Sequence, residues 1–108
     1  ESIPVGIHMY QLETDDRLVF IGANPAADNI LHVDNTQFLG KTLEEAFPNL
    51  QSTEVPHRYR VAASDGIPWH TEHIAYEDEQ IVGVFEVHAF QTAPGKMVTA
   101  FQDILSAR

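Results

Sequence analysis

Length, composition and charge limit this chain to one small domain and exclude several classes of function. Its 108 residues are 44% hydrophobic and 9% aromatic, as in a compact domain, and two separate cores would each be too small to be stable. The formal net charge of −10 disfavours binding to nucleic-acid phosphates or to an anionic membrane surface. With no Cys, the chain cannot form disulfides, thiolate metal sites or cysteinyl cofactor adducts.

The same features predict a cytoplasmic location. No apolar run approaches the roughly 20 residues that span a bilayer, and residues 1–4 lack the basic and apolar parts of a signal peptide. The absence of Cys is typical of a reducing compartment. Because the sequence also begins without Met, we interpret residues 1–108 as a single domain excised from a larger protein.

The first half of the chain predicts a hairpin followed by short helices. Residues 6–12 and 18–21 are rich in β-formers and flank a polar connection of hairpin length. Asn24 can cap a helix that has Pro25 at its first position. A second short helix follows Gly40, where the next residues have capping-box spacing.

The second half predicts one longer helix and then three strands. The helix is expected to start near residues 52–53, with Pro56 in its first turn, and to end at Asp65-Gly66. The predicted strands cover residues 68–76, 81–92 and 96–104. In the middle strand Phe85 and Val87 alternate with polar residues, which is typical of an antiparallel sheet covered on one face. The order favours an α+β fold with helices across one side of a sheet.

Four motifs in this order resemble PAS domains over almost the whole chain. They are the Asn-x-Ala signature at residues 24–26, the Gly-Lys turn at residues 40–41, the Gly-x-Pro strand entry at residues 66–68 and the closing Asp-Ile at residues 103–104. Leu105 stands where the family usually has Thr. Asn24, Gly40 and Asp103 are therefore the expected structural motif residues.

The resemblance implies a five-stranded antiparallel sheet in the order 2-1-5-4-3, with short helices packed over one face. It also implies a pocket between the sheet and the helices, in a bacterial sensor protein such as a histidine kinase or diguanylate cyclase. Apolar and aromatic side chains predicted to face inward are the candidates for lining that pocket: Met9, Ile30, Leu31, Phe38, Phe47, Tyr59, Trp69, Phe85, Val87 and Phe101.

The six histidines do not indicate a metal site. His70 and His73 are three residues apart on a predicted strand and so should point to opposite faces. His8 and His88 could share the outer face of the sheet, but the implied strand order places another strand between them. For haem, which some PAS domains hold through a helical His, His57 is the weak candidate and His32 a more distant one. Flavin bound without a Cys adduct stays open.

Two hypotheses of different classes follow, and a third is weaker. In the first, the module binds a small ligand or cofactor and controls a covalently linked output domain. In the second, it binds no ligand and serves protein interaction, forming a homodimer through an outer sheet face that carries Tyr10, His88 and Phe90. The third is a small isomerase, which an acid with a shifted pKa inside the pocket would favour. No Gly-x-Ser-x-Gly elbow or glycine-rich phosphate loop is present, and we expect no enzymatic activity from this fragment.

Overall fold

The computed structural model describes residues 3–105 as ten elements of secondary structure. The first helix, α1, begins at Pro25, and the first strand, β1, begins at Gly6. The strands are β1 Gly6–Leu12, β2 Leu18–Ala23, β3 Trp69–Glu77, β4 Val82–Ala93 and β5 Lys96–Asp103. The α-helices are α1 Pro25–Leu31, α2 Leu43–Ala46 and α3 Val55–Asp65, and single 3₁₀ turns cover Asn35–Phe38 and Pro48–Leu50.

All five strands form one antiparallel sheet in the order β2-β1-β5-β4-β3. The predicted α+β architecture and strand order are confirmed. The first and last strands meet in the middle of the sheet, where β1 pairs with β5. The helices pack against one face, and α3 contacts β4 and β5 most extensively. This arrangement leaves the opposite face of the sheet uncovered within residues 3–105.

Asn24 joins the first helix to the first strand, as its predicted role as a cap requires. Its side-chain oxygen accepts hydrogen bonds from the backbone N–H of Ala27 at 3.0 Å and of Ile7 at 2.9 Å. Its side-chain nitrogen donates to the carbonyl of Val5 at 3.0 Å. The side-chain amide of Asn24 therefore forms hydrogen bonds with backbone groups at the start of α1 and at the start of β1. These bonds hold the two elements together.

Short-range sequence features mark the starts of α2 and α3. Thr42 and Glu45 form the predicted capping box at the start of α2, with both reciprocal hydrogen bonds present. Gly40 has a φ of 81°, a left-handed conformation that favours glycine before this helix. Pro56 lies in the first turn of α3, which begins at Val55 rather than near residues 52–53.

The face of β1 that meets the helices differs from the prediction. His8 and Tyr10 are buried among the helices, whereas Met9 points to the uncovered face. There Met9 lies over Gly22 of the paired strand, so closely that a methyl group on that glycine would come within 2.8 Å of its Cε. The expectations that Met9 lies inside and that His8 and Tyr10 lie outside are therefore wrong. Alternation requires only that neighbours point to opposite faces, and all three side chains can be accommodated on either face.

Candidate functional site

A small cavity of about 70 Å³ lies between the sheet and the helices. Its walls come from four strands (β1, β3, β4 and β5), from α1 and α3, and from the segment around the second 3₁₀ turn. The surrounding side chains are predominantly aromatic and aliphatic. The lining residues are His8, Tyr10, Leu31, Phe47, Leu50, Tyr59, Ile74, Tyr76, Ile81, Phe85, Val87, Thr99 and Phe101.

Six of the ten side chains predicted to line a pocket do line this cavity: Leu31, Phe47, Tyr59, Phe85, Val87 and Phe101. The other four do not. Met9 lies on the opposite face of the sheet, and Ile30 is a half-buried residue at the margin of the core. Phe38 packs behind the wall, with its ring centre 4.9 Å from that of Phe47. Trp69 packs against the outer side of Tyr59 and under the guanidinium of Arg58.

His8, like Tyr10, is a buried residue of the cavity wall that was expected on the outer face of the sheet. Its ring stacks on Phe47, with the ring centres 5.6 Å apart and the planes 15° apart. Phe20 and Phe101 meet it edge-on at 5.0 and 4.7 Å. An imidazole surrounded by aromatic rings in this way loses most of its contact with water, so its charged form is strongly disfavoured.

A hydrogen-bond chain from His8 to α1 fixes which imidazole nitrogen carries the proton, and burial keeps the ring neutral. Asn35 donates from its side-chain and backbone nitrogens to Asp28 Oδ1, at 2.6 and 3.0 Å. Its side-chain oxygen therefore faces His8 Nε2, at 2.9 Å, and can only accept. Burial lowers the pKa of His8 to about 4, although the bond to Asn35 and the charge of Asp28 oppose the shift. At neutral pH the imidazole is thus uncharged, with its proton on Nε2 and an acceptor lone pair on Nδ1.

The remaining polar groups of the cavity wall are the hydroxyls of three tyrosines and of Thr99. Burial raises the pKa of Tyr10 and of Tyr59 well above the ordinary value, so both hydroxyls stay protonated. Burial and the neighbouring carboxylate raise the pKa of Tyr76, whose hydroxyl donates to Asp78 Oδ2 at 2.7 Å. The cavity therefore carries no formal charge at neutral pH. It offers a few neutral hydrogen-bonding groups in an apolar wall.

Neither haem nor flavin fits this cavity as it stands. Pockets for drug-sized ligands enclose about 300–1,000 Å³, several times the 70 Å³ found here. His57, the haem candidate, is exposed on α3, and neither it nor His32 lines the cavity. The histidine that does line the cavity uses Nε2 to contact Asn35. The residues present therefore do not form a haem or flavin site.

A second group of polar side chains stands on the uncovered face of the sheet. His70 of β3 is paired directly with His88 of β4, and their rings stack with centres 4.2 Å apart. Glu86, two residues before His88, places Oε2 at 2.8 Å from His70 Nε2 and at 3.8 Å from His88 Nε2. Sequence reasoning missed this group because it depends on the register between two strands, which no local pattern reveals.

Comparison with known proteins agrees with the architecture. The sequence pattern of the PAS fold matches residues 1–108, and the chain therefore belongs to the PAS family. No match was found among curated protein sequences. None of the helices within residues 3–105 is long and apolar enough to cross a membrane.

Three solved structures illustrate the shared fold. A domain of an HTR-like protein from Haloarcula marismortui ATCC 43049 is 13% identical, with a TM-score of 0.67 over 94% of this chain and 98% of that one. A domain of a sensory box sensor histidine kinase/response regulator from Geobacter sulfurreducens is 16% identical, with a TM-score of 0.68 over 95% and 86%. An RNA-binding Light-Oxygen-Voltage receptor is 17% identical, with a TM-score of 0.69 over 95% of this chain but only 30% of the receptor. At these identities the likeness shows the fold.

Proposed function

We propose that this PAS domain is the sensory module of a cytoplasmic bacterial signalling protein, and that its cavity binds a small uncharged molecule. The supporting observation is the apolar cavity beside a neutral His8. An apolar wall with a few convergent polar groups is the usual composition of a ligand site. In this proposal the module itself performs no catalysis and controls a kinase or diguanylate cyclase domain of the same polypeptide.

The size and polarity of the cavity limit the ligand. A dry cavity of about 150 Å³ binds benzene, so about 70 Å³ admits only a smaller molecule. With Nε2 of His8 donating to Asn35, Nδ1 is the ring nitrogen that can accept a hydrogen bond. A ligand with one N–H or O–H group on a short apolar body matches these properties. A charged ligand does not, because the cavity wall offers no opposite charge.

The route from the cavity to an output domain runs along β5. Phe101 lines the cavity and lies two residues before Asp103, where β5 ends. A ligand that contacts Phe101 would bind more tightly to the protein when the end of β5 is packed in one way than when it is packed in another. The difference in affinity between the two packings is the free energy available for signalling.

Ligand binding is tested by thermal unfolding and native mass spectrometry with small amides, alcohols and azoles. A ligand present at one hundred times its Kd stabilises the native state by about 2.7 kcal/mol, which is readily measured. Val87→Phe should abolish the effect by filling the cavity, and Val87→Ile, a smaller change, should weaken it. Val82→Phe is the matched control, since Val82 is 73% exposed. If no compound stabilises the protein, or if Val87→Phe responds as the unmutated protein does, the ligand proposal fails.

A ligand-free dimerisation module is the second candidate, favoured by apolar side chains on the uncovered face. Phe90 on this face is 41% exposed. Exposed apolar surface of this kind often marks a contact site. In sedimentation experiments Phe90→Asp should shift a dimer to monomer, whereas Leu39→Asp, on the helical side and 50% exposed, should not. An unchanged sedimentation coefficient for Phe90→Asp would argue against this candidate.

No observation favours the third hypothesis, that the protein is a small isomerase. It required an acid with a shifted pKa inside the pocket, and no Asp or Glu of residues 3–105 lines the cavity.

A further inference from the structure

We propose that His70, Glu86 and His88 form a binding site for a divalent transition-metal ion, of which Zn²⁺ is the best match. The site lies on the uncovered face of the sheet, on the side away from the cavity. It is independent of the proposed ligand site, and neither proposal requires the other.

The three side chains are brought together by the hydrogen-bond ladder between β3 and β4. His70 and His88 are directly opposite each other in the register, and Glu86 lies two positions away on the same face as His88. Their ligand atoms all lie within 4.8 Å of one another. Zn–N and Zn–O bonds are about 2.0–2.2 Å long, so ligand atoms around one ion are about 3.3 Å apart. The two rings stack almost in parallel, with their planes 13° apart, so side-chain rotations must turn the imidazole nitrogens towards one ion to reach this spacing.

The electrostatics of the group favour a cation. A single carboxylate oxygen of Glu86 faces two imidazole nitrogens, at 2.8 and 3.8 Å. Within residues 3–105 no Lys or Arg forms an ion pair with this carboxylate. Two stacked imidazoles repel each other if both are protonated, whereas a metal ion bound by their lone pairs is stabilised by all three groups. The net charge of −10 adds a general attraction for cations.

The ligand types and their surroundings select the class of metal. Two imidazole nitrogens and one carboxylate oxygen suit Zn²⁺ and its transition-metal neighbours, whereas Mg²⁺ and Ca²⁺ prefer oxygen ligands alone. On the neighbouring strand His88 is paired with Ala100, whose small side chain leaves space beside the imidazoles. All three ligands are partly or fully exposed. The fourth position of a tetrahedral ion is therefore open to water.

The test is calorimetric titration of the chelator-treated, tag-free chain with ZnCl₂ near pH 7.5. We expect one ion to bind per chain. His70→Ala, His88→Ala and Glu86→Gln should each weaken binding by about tenfold or more, by analogy with the losses that follow removal of even supporting groups at metal sites. His57→Ala, which removes an exposed histidine from α3, should bind as the unmutated chain does. MgCl₂ should give no comparable binding.

Thermal unfolding in the presence of a chelator shows whether each variant is folded, and all three substitutions are at surface positions. Zn²⁺ should raise the melting temperature of the unmutated chain and of His57→Ala, but not that of the double variant H70A/H88A. Three results would overturn the proposal. These are no binding at all, binding that persists in the folded H70A/H88A variant, or a stoichiometry of one ion per two chains, which would indicate a site shared between copies.

Discussion

Acidification from pH 7 to pH 5 should destabilise this protein through His8. In the native state its pKa is lowered to about 4, compared with 6.5 for an unperturbed imidazole. As the pH falls through 6.5, the unfolded chain therefore binds a proton that the native chain excludes until the pH approaches 4. Stability rises with pH wherever the unfolded state binds more protons. The contribution of His8 is complete above pH 6.5 and is lost progressively as the pH falls towards 4.

The size of the effect follows from the two pKa values. With values of about 4 and 6.5, the linkage relation gives a loss of about 2 kcal/mol between pH 7 and pH 5. The two partly buried carboxylates with shifted pKa values do not interfere. Hydrogen bonds lower the pKa of Glu44 and of Asp78 below their ordinary values, despite partial burial, so both titrate below this interval.

The assay is urea denaturation at pH 7, 6 and 5, with His8→Gln as the variant that cannot titrate. The glutamine amide can reach Asn35 much as imidazole Nε2 does, and it has no pKa in this range. The unmutated protein should lose about 2 kcal/mol more than His8→Gln over the interval. His57→Gln, the exposed control, should behave as the unmutated protein does. Equal losses for the unmutated protein and His8→Gln would refute the reasoning.

Three further substitutions test individual local interactions by urea denaturation at pH 7. Asn35→Ala leaves the Nε2–H of His8 buried without an acceptor and should cost about 2–3 kcal/mol; a cost no larger than that of the exposed control Asn29→Ala would contradict this role. Asn24→Ala removes the cap of α1 and its bond to β1 and should cost about 1–2 kcal/mol, so an unchanged midpoint would count against the cap. Gly40→Ala meets no atom within 4 Å but places an Ala at a φ of 81°, so the expected cost is about 1 kcal/mol of backbone strain alone. Stabilisation by this change would show that the turn adopts another conformation.

The starts of α1 and α2 could be predicted from the sequence because their capping interactions are local. Asn24 caps α1, and Thr42 and Glu45 form the capping box of α2, as their spacing predicts. Each of these interactions involves residues at most three positions apart. Such contacts form whenever the segment is helical, whatever the rest of the chain does.

The inward face of β4 could also be predicted, whereas that of β1 could not. Phe85, Val87 and Ala89 make an apolar face that only the core can bury. In β1 the alternating candidates were Met9 on one side and His8 and Tyr10 on the other, and both sets are amphipathic or adaptable. Residues outside β1 fix which of its faces points inward. Asn35 accepts a hydrogen bond from His8, and Gly22 provides a flat surface for Met9.

The sequence by itself therefore determined the elements, their order and most of the apolar side chains that surround the cavity. It did so because helix caps and strand alternation are short-range properties of the chain. Only the tertiary structure decided that His8 is a buried neutral imidazole and that His70 lies against His88. Both facts depend on pairing between segments far apart in the chain, where a shift of one residue in register would turn each side chain to the other face.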